Sequence, residues 1–330
     1  MRFGVMWANQ DWVDIMPAKR LSPSPPKFSG ATNATVFAEL SQYWIDRYFA
    51  LPNYLTAPVS PTERACPLVS IYEINELVES LGGIPEAGAA FADFRARAAA
   101  AGHACVHVQV MGFGARALPA PFGASLQAIG VNSVTDYCPQ CVGRDAGARA
   151  RSNARPESCA RAPLPVPPAP VQRARALRAA VLTPPPRPHV PASWRPHRHY
   201  TPMPSFPLVD YAAFSSGYIS SFGALAAQVA PVPYTPNLGV AWDPSPRTVQ
   251  SDAFDNWGYP STPVLQPTVA EFAAAAAAAA ESAASICTAD SCMLTVYAYT
   301  EFSEGGSLWP TVADGFGRLN AMTDVFGDRR

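Results

Sequence analysis

Short apolar runs alternate along this chain with longer stretches whose apolar residues recur every three or four positions, the pattern of strands followed by helices. The run RFGVMWA at 2–8 reads as a buried strand ending in the polar WANQDW. Over 36–49, Phe37, Leu40, Tyr43, Trp44 and Tyr48 form one stripe and predict a helix. PLVSIY at 67–72 reads as a second strand, and Glu73 opens a short helix that Gly82 and Gly83 stop. A helix over 91–101, a strand over 104–111, a short helix over 125–129 and a strand over 131–135 follow. LGVAW at 238–242 is the fifth strand, 269–284 an alanine-rich helix, LTVYAY at 294–299 the sixth strand and 316–326 a closing helix.

Strands alternating with helices predict a parallel sheet with helical cover. Two architectures satisfy that pattern, a (β/α)8 TIM-type barrel and an open doubly wound sheet. No glycine-rich phosphate loop follows any strand, whereas carboxylates and aromatics do, which favours the barrel. Six strands are found where a barrel needs eight, so the first one or two are expected to precede Met1. The barrel domain is divided: 1–143 and 208–330 belong to it, and 208–330 carries the catalytic motif. Between them, 144–207 is dense in Pro, Arg and Ala, poor in large apolar residues, and expected to be a disordered insertion, the rival reading being a basic Pro/Arg tether for an acidic partner.

Composition narrows the classes of partner. The 330 residues are 48% hydrophobic, enough for one large core. A net charge of -1 gives no basic surface excess, so no nucleic-acid partner is expected. No uncharged apolar stretch reaches eighteen residues, so no membrane span is expected, and the N-terminus lacks a small-residue cleavage site. A cytoplasmic monomer is the default expectation. Seven cysteines are too sparse for a disulfide scaffold. Cys138 and Cys141 have redox or metal spacing but no second pair at zinc-site spacing, unless Cys287 and Cys292 supply one in space, so neither metal nor cofactor is expected. Asn33-Ala34-Thr35 matches a glycosylation acceptor without a clear secretory context. The parity of His107 leaves open whether it faces the barrel interior or the helices.

Candidate chemistry concentrates behind the last strand, in YAYTEFSEGG at 297–306. Glu301 and Glu304 are delivered together at a strand end, and Gly305 and Gly306 let the backbone turn away. Glycosidic cleavage needs a proton donor and a nucleophile or base, and neighbouring carboxylates can separate their pKa values to serve as both. Spacing alone suits two solvated glutamates in a surface loop at least as well; Tyr299, Phe302 and Trp309, which flank the pair and offer apolar platforms for a sugar, shift the balance towards a site. A second group, Trp242, Asp243 and Arg247, suits ring stacking, hydroxyl recognition and carboxylate holding, and equally suits a structural Trp with an Asp–Arg pair. A third, Trp7, Asn9, Asp11 and Trp12, suits a sugar-binding rim, and equally a core Trp with a helix cap from Asp11. Glu73 and Tyr137 close two further strands and complete the expected substrate-binding set.

Six blocks also resemble a known family: FGVMWANQDW at 3–12, YFALPNYL at 48–55, PLVSIYEI at 67–74, VNSVTDY at 131–137, YTPNLGVAWDPSPR at 234–247 and VYAYTEFSEGGSLWP at 296–310. They are similar to the WbsX-like proteins of polysaccharide biosynthesis, related to the endo-alpha-mannosidases of glycoside hydrolase family 99. The resemblance implies a (β/α) barrel and retaining cleavage of an alpha-mannoside in an oligosaccharide or polysaccharide, without a cofactor. It implies that Glu301 deprotonates the sugar 2-hydroxyl to form a 1,2-anhydro sugar, and that Glu304 acts as general acid and then general base. Two positions depart from the family: Thr300 stands where asparagine is usual, and Trp309 where many relatives have glutamate. The alternatives are a glycosyltransferase of polysaccharide assembly and a catalytically inactive carbohydrate-binding relic or gene fragment.

Overall fold

The structure is a computed structural model that describes residues 2–10, 12–13, 26–28, 30, 32–60, 62–63, 65–112, 117–137, 208–243, 264–287 and 293–327. Asp11, Cys138, Cys141, Arg247, Cys292 and the 144–207 insertion lie outside the described residues, and of Trp12 the backbone alone is described. In chain order the elements are β1 (Val5–Trp7), β2 (Trp12–Val13), β3 (Pro26–Phe28), α1 (Ala34–Trp44) running into a π-helical turn (Ile45–Phe49), β4 (Thr56–Ala57), β5 (Cys66–Ile71), α2 (Ile74–Leu81) and α3 (Ile84–Ala100). They continue with β6 (His107–Met111), α4 (Phe122–Ile129), β7 (Ser133–Thr135), α5 (Tyr211–Ser220), α6 (Phe222–Val229), β8 (Tyr234–Thr235) and β9 (Asn237–Gly239). The chain then forms α7 (Val269–Ile286), β10 (Thr295–Tyr297), β11 (Thr300–Glu301), a 3-10 turn (Phe302–Glu304), β12 (Gly306–Ser307) and α8 (Gly317–Phe326).

Parallel pairing runs β1–β5–β6–β7–β8 in the order of the sequence. Pro236, with no N–H to donate, then separates β8 from β9, and the wall continues through β9 paired in parallel with β10. Sequential parallel strands with intervening helices are the wall of a TIM-like barrel. Among the described residues no ladder joins β1 to β10, so this wall is an arc, a partial barrel. The fifth strand differs from its expected bounds: pairing covers 234–239 rather than 238–242, and Trp242 instead bridges Leu265. Helix α3 starts at Ile84 rather than 91, with a proline in its first turn, and α5 and α6 were not expected at all.

Register decides which face each residue takes. Val69, Ile71, Val108, Val110, Val134 and Leu238 share the helix-facing side and are at most 1% exposed. Ser70, His107, Gln109, Ser133, Thr135, Asn237 and Thr295 share the other side. That inner side is a hydrogen-bonded polar layer. Ser70 donates to Gln109 Oε1 at 3.0 Å, Gln109 donates to Ser133 Oγ at 3.3 Å, and Asn237 donates to Thr295 Oγ1 at 2.8 Å. His107 belongs to it: Nδ1 lies 2.7 Å from the Pro58 carbonyl and Nε2 2.7 Å from Ser133 Oγ. A carbonyl can only accept, so Nδ1 carries the proton and Nε2 accepts from Ser133. Burial lowers the His107 pKa, opposed by the Pro58 contact and assisted by the charge of Arg95.

Around the arc, Phe37 of α1 touches the rings of Trp7, Trp44, Phe91 and Phe94. Arg97 of α3 donates to Ser41 Oγ and to the Ala38 carbonyl of α1, fixing one helix on the other. Helix α7 is long and apolar enough to cross a membrane by composition alone, yet here Phe272, Ala275, Ala276, Ala279 and Ala283 are buried against neighbouring helices. Its first turn is closed by a capping box between Thr268 and Glu271. Despite the sparse cysteine count, Cys66 and Cys105 form a disulfide, and Cys287 is also disulfide-bonded.

Candidate functional site

Strand β10 ends at Tyr297, and the chain turns at once into the β11–β12 hairpin, with Thr300 opposite Ser307 and Glu301 opposite Gly306. Gly305 closes the hairpin with φ +70, in the left-handed region that glycine adopts without a steric penalty. A Cβ there would lie 2.8 Å from Asp243 N, and one on Gly306 would lie 3.0 Å from the Tyr297 ring. The two glycines therefore allow the hairpin to lie flat against the strand ends, beyond simply turning the chain. The Asp243 amide donates to the Glu304 carbonyl at 2.6 Å, tying the hairpin to the segment that follows β9. On the far side, Arg318 donates to the Ser307 carbonyl and pairs with Asp314 at 3.0 Å.

The two glutamates have different environments. Glu304 is 5% exposed, and its Oε2 accepts a hydrogen bond from the Tyr297 hydroxyl. Glu301 is half-buried and accepts from Ser303 Oγ at 3.1 Å. Tyr297 faces the barrel interior with Thr295, and it was missed as a site residue. Strict alternation along TVY at 295–297 is the signal that points to it. Its ring lies 4.8 Å from that of Tyr137 and 6.2 Å from that of Trp242, and Tyr137 in turn lies 5.1 Å from Tyr72. The segments at the ends of four strands, β5, β7, β9 and β10, thus contribute one run of aromatic rings beside the Glu304 carboxyl. Outside it, Tyr299 and Trp309 meet edge to face at 5.7 Å, and they are 42% and 48% exposed.

The remaining candidates are placed as follows. Trp242 is buried against Tyr297, and Asp243 Oδ2 accepts from Gln266 Nε2 at 3.2 Å. Asn9 is buried and clamps Glu73, donating to its carbonyl and accepting from its amide, both at 2.8 Å. That clamp joins the ends of β1 and β5, with Glu73 as the N-cap of α2. Trp7 turns to the helix side and stacks on Phe37. Asp136, next to Tyr137 at a strand end, also turns to the helix side. It accepts from Tyr234 at 2.6 Å and Tyr218 at 3.2 Å, and burial together with that carboxylate pushes the Tyr218 phenol well up. Glu301, Glu304, Tyr137, Trp242, Asp243, Tyr299 and Trp309 are therefore gathered around Tyr297 and the hairpin. Asn9 and Glu73 form a separate backbone clamp. Among the described residues no group of three or more His, Cys, Asp or Glu is placed to hold a metal ion.

Comparison with known proteins gives a sparse picture. No family model and no curated protein matches the chain. Among solved structures it is similar to the GH99 endo-alpha-mannosidase from Bacteroides thetaiotaomicron, with 10% sequence identity and a TM-score of 0.43. The match covers 91% of this chain and 62% of that one, so the chain spans about three fifths of the length of that enzyme.

Proposed function

We propose that this chain is a glycan-active protein of the hydrolase type, cleaving an alpha-mannoside-type bond with retention of configuration. The observation that carries the reading is the hairpin at the end of β10. It sets a buried carboxyl, held by Tyr297, beside a half-buried carboxyl and an exposed aromatic pair. Aromatic faces bind sugar rings, and two carboxyl groups in unlike surroundings can divide the acid and base roles. In this scheme Glu301 takes the proton of the sugar 2-hydroxyl, whose oxygen attacks the anomeric carbon as the glycosidic bond breaks. Glu304 gives its proton to the leaving oxygen. It then takes one from the water that attacks the anomeric carbon, and as the bond from that carbon to the 2-oxygen breaks, Glu301 returns its proton to that oxygen, restoring both groups. Tyr299 and Trp309 seat the sugar, Tyr137 and Trp242 line the floor, and the substrate is an oligosaccharide or polysaccharide.

The test is hydrolysis of a panel of alpha-mannosides and alpha-mannan oligosaccharides by the purified full chain, beside Glu301→Gln and Glu304→Gln. Turnover in the parent, with a fall of about 100-fold or more in each variant, is the expected result. Folded parent protein that binds these glycans with no turnover would sink the hydrolase reading in favour of a carbohydrate-binding relic.

A further inference from the structure

Nine asparagines occur in the sequence, and a single one, Asn33, begins an Asn-x-Ser/Thr acceptor, with Ala34 and Thr35. We propose that Asn33 carries an N-linked glycan and that the chain matures in an oxidising, glycosylating compartment, in place of the cytoplasmic default. Two independent observations support this.

The first is the geometry at Asn33. It is the N-cap of α1, with extended backbone (φ -130, ψ 174), and Asn33, Ala34 and Thr35 are all exposed. The cap uses the amide oxygen: Val36 N donates to Asn33 Oδ1 at 3.0 Å. Nδ2, the atom that N-glycosylation modifies, has no hydrogen-bond partner among the described residues. In the reaction a bond forms between Nδ2 and the anomeric carbon of a lipid-diphosphate-linked oligosaccharide. The bond from that carbon to the diphosphate breaks, Nδ2 loses one proton, and the lipid diphosphate leaves. The product is still an amide, so Oδ1 still caps the helix. The modification costs the fold nothing it uses.

The second is the pair Cys66–Cys105. Leu68 is paired with His107 in the parallel ladder, so two residues earlier Cys66 and Cys105 lie opposite each other. Their Cα atoms are 5.0 Å apart and they are disulfide-bonded, with Cys66 fully buried. Cys287 is disulfide-bonded too. Such bonds persist in secretory and extracellular surroundings and are rare in a reducing cytosol.

The test starts with the full chain isolated from its own cells under alkylating, non-reducing conditions. Mass spectrometry is expected to find a glycan on Asn33, removed by peptide-N-glycosidase with conversion to Asp, and a linked Cys66–Cys105 peptide. An unmodified Asn33, or alkylated Cys66 and Cys105 in folded protein, overturns the proposal. Variants made through a eukaryotic secretory route separate the site from the fold. Asn33→Asp keeps a capping oxygen and Thr35→Ser keeps the acceptor, whereas Thr35→Ala destroys it. A glycosidase-sensitive mobility shift is expected in the parent and Thr35→Ser alone, with Asn33→Asp melting as the unglycosylated parent does. A shift that survives in Asn33→Asp also overturns the assignment.

Discussion

Replacing Tyr297 with phenylalanine removes one oxygen and leaves the ring that touches Tyr137 and Trp242. What is lost is the hydroxyl that donates to Glu304. Glu304 is 5% exposed, so bulk water does not take the vacated position. A buried acceptor stripped of a donor costs about 1–3 kcal/mol, so the expected destabilisation is about 2 kcal/mol. Urea unfolding followed by tryptophan fluorescence reads this as a lowered midpoint at unchanged m-value. Tyr299→Phe is the control: its side chain is exposed, and it is expected to stay within about 0.5 kcal/mol of the parent. If Tyr297→Phe also stays within that margin, Tyr297 does not hold the Glu304 carboxyl, and the positioning argument fails. Where the parent turns over substrate, the same loss at the transition state is a roughly 30-fold fall in kcat.

Two further outcomes can be checked on the folded protein alone. The Cys66–Cys105 bond closes a loop of 39 residues, for which chain-entropy arguments give about 4 kcal/mol; Cys66→Ala/Cys105→Ala is expected to lose stability of that order, measured as a drop in urea midpoint without reductant. The lowered His107 pKa means that between 6.5 and its depressed folded value the unfolded chain binds more protons than the native one. Its stabilising contribution is therefore fully present above pH 6.5 and declines as pH falls below it. Urea midpoints between pH 7.5 and pH 5.5 are expected to fall less steeply in His107→Gln than in the parent, and identical slopes would refute the buried-neutral assignment.

Five of the six strands were legible because each is a short apolar run with polar residues behind it, as in PLVSIY before Glu73. The fifth was misplaced because YTPNLG carries a proline and polar residues, while LGVAW after it looks more like a strand. The structure resolves this by switching pairing partners at Pro236, a tertiary arrangement with no local signature. Helices α5 and α6 escaped notice because YAAFSSGYIS and FGALAAQV are small, nearly uncharged and barely periodic, and their helical state depends on packing against α7. The turn behind Glu301 and Glu304 was legible from Gly305 and Gly306. Tyr297 was not, because its role depends on which way a three-residue strand faces. The inward His107 was likewise undecidable until the register fixed its face.

The hand-over at Pro236 also divides the wall into two separately paired units. Amides of β5 and β6 lie in the middle of the ladder, between buried valines and the polar layer, and exchange with solvent only when the core opens. The strand that carries the glutamate hairpin is held by a three-residue ladder to β9, followed by a hairpin of two paired residues on each side. Its amides are therefore expected to exchange sooner than those of β5 and β6, at a smaller free-energy cost than opening the core.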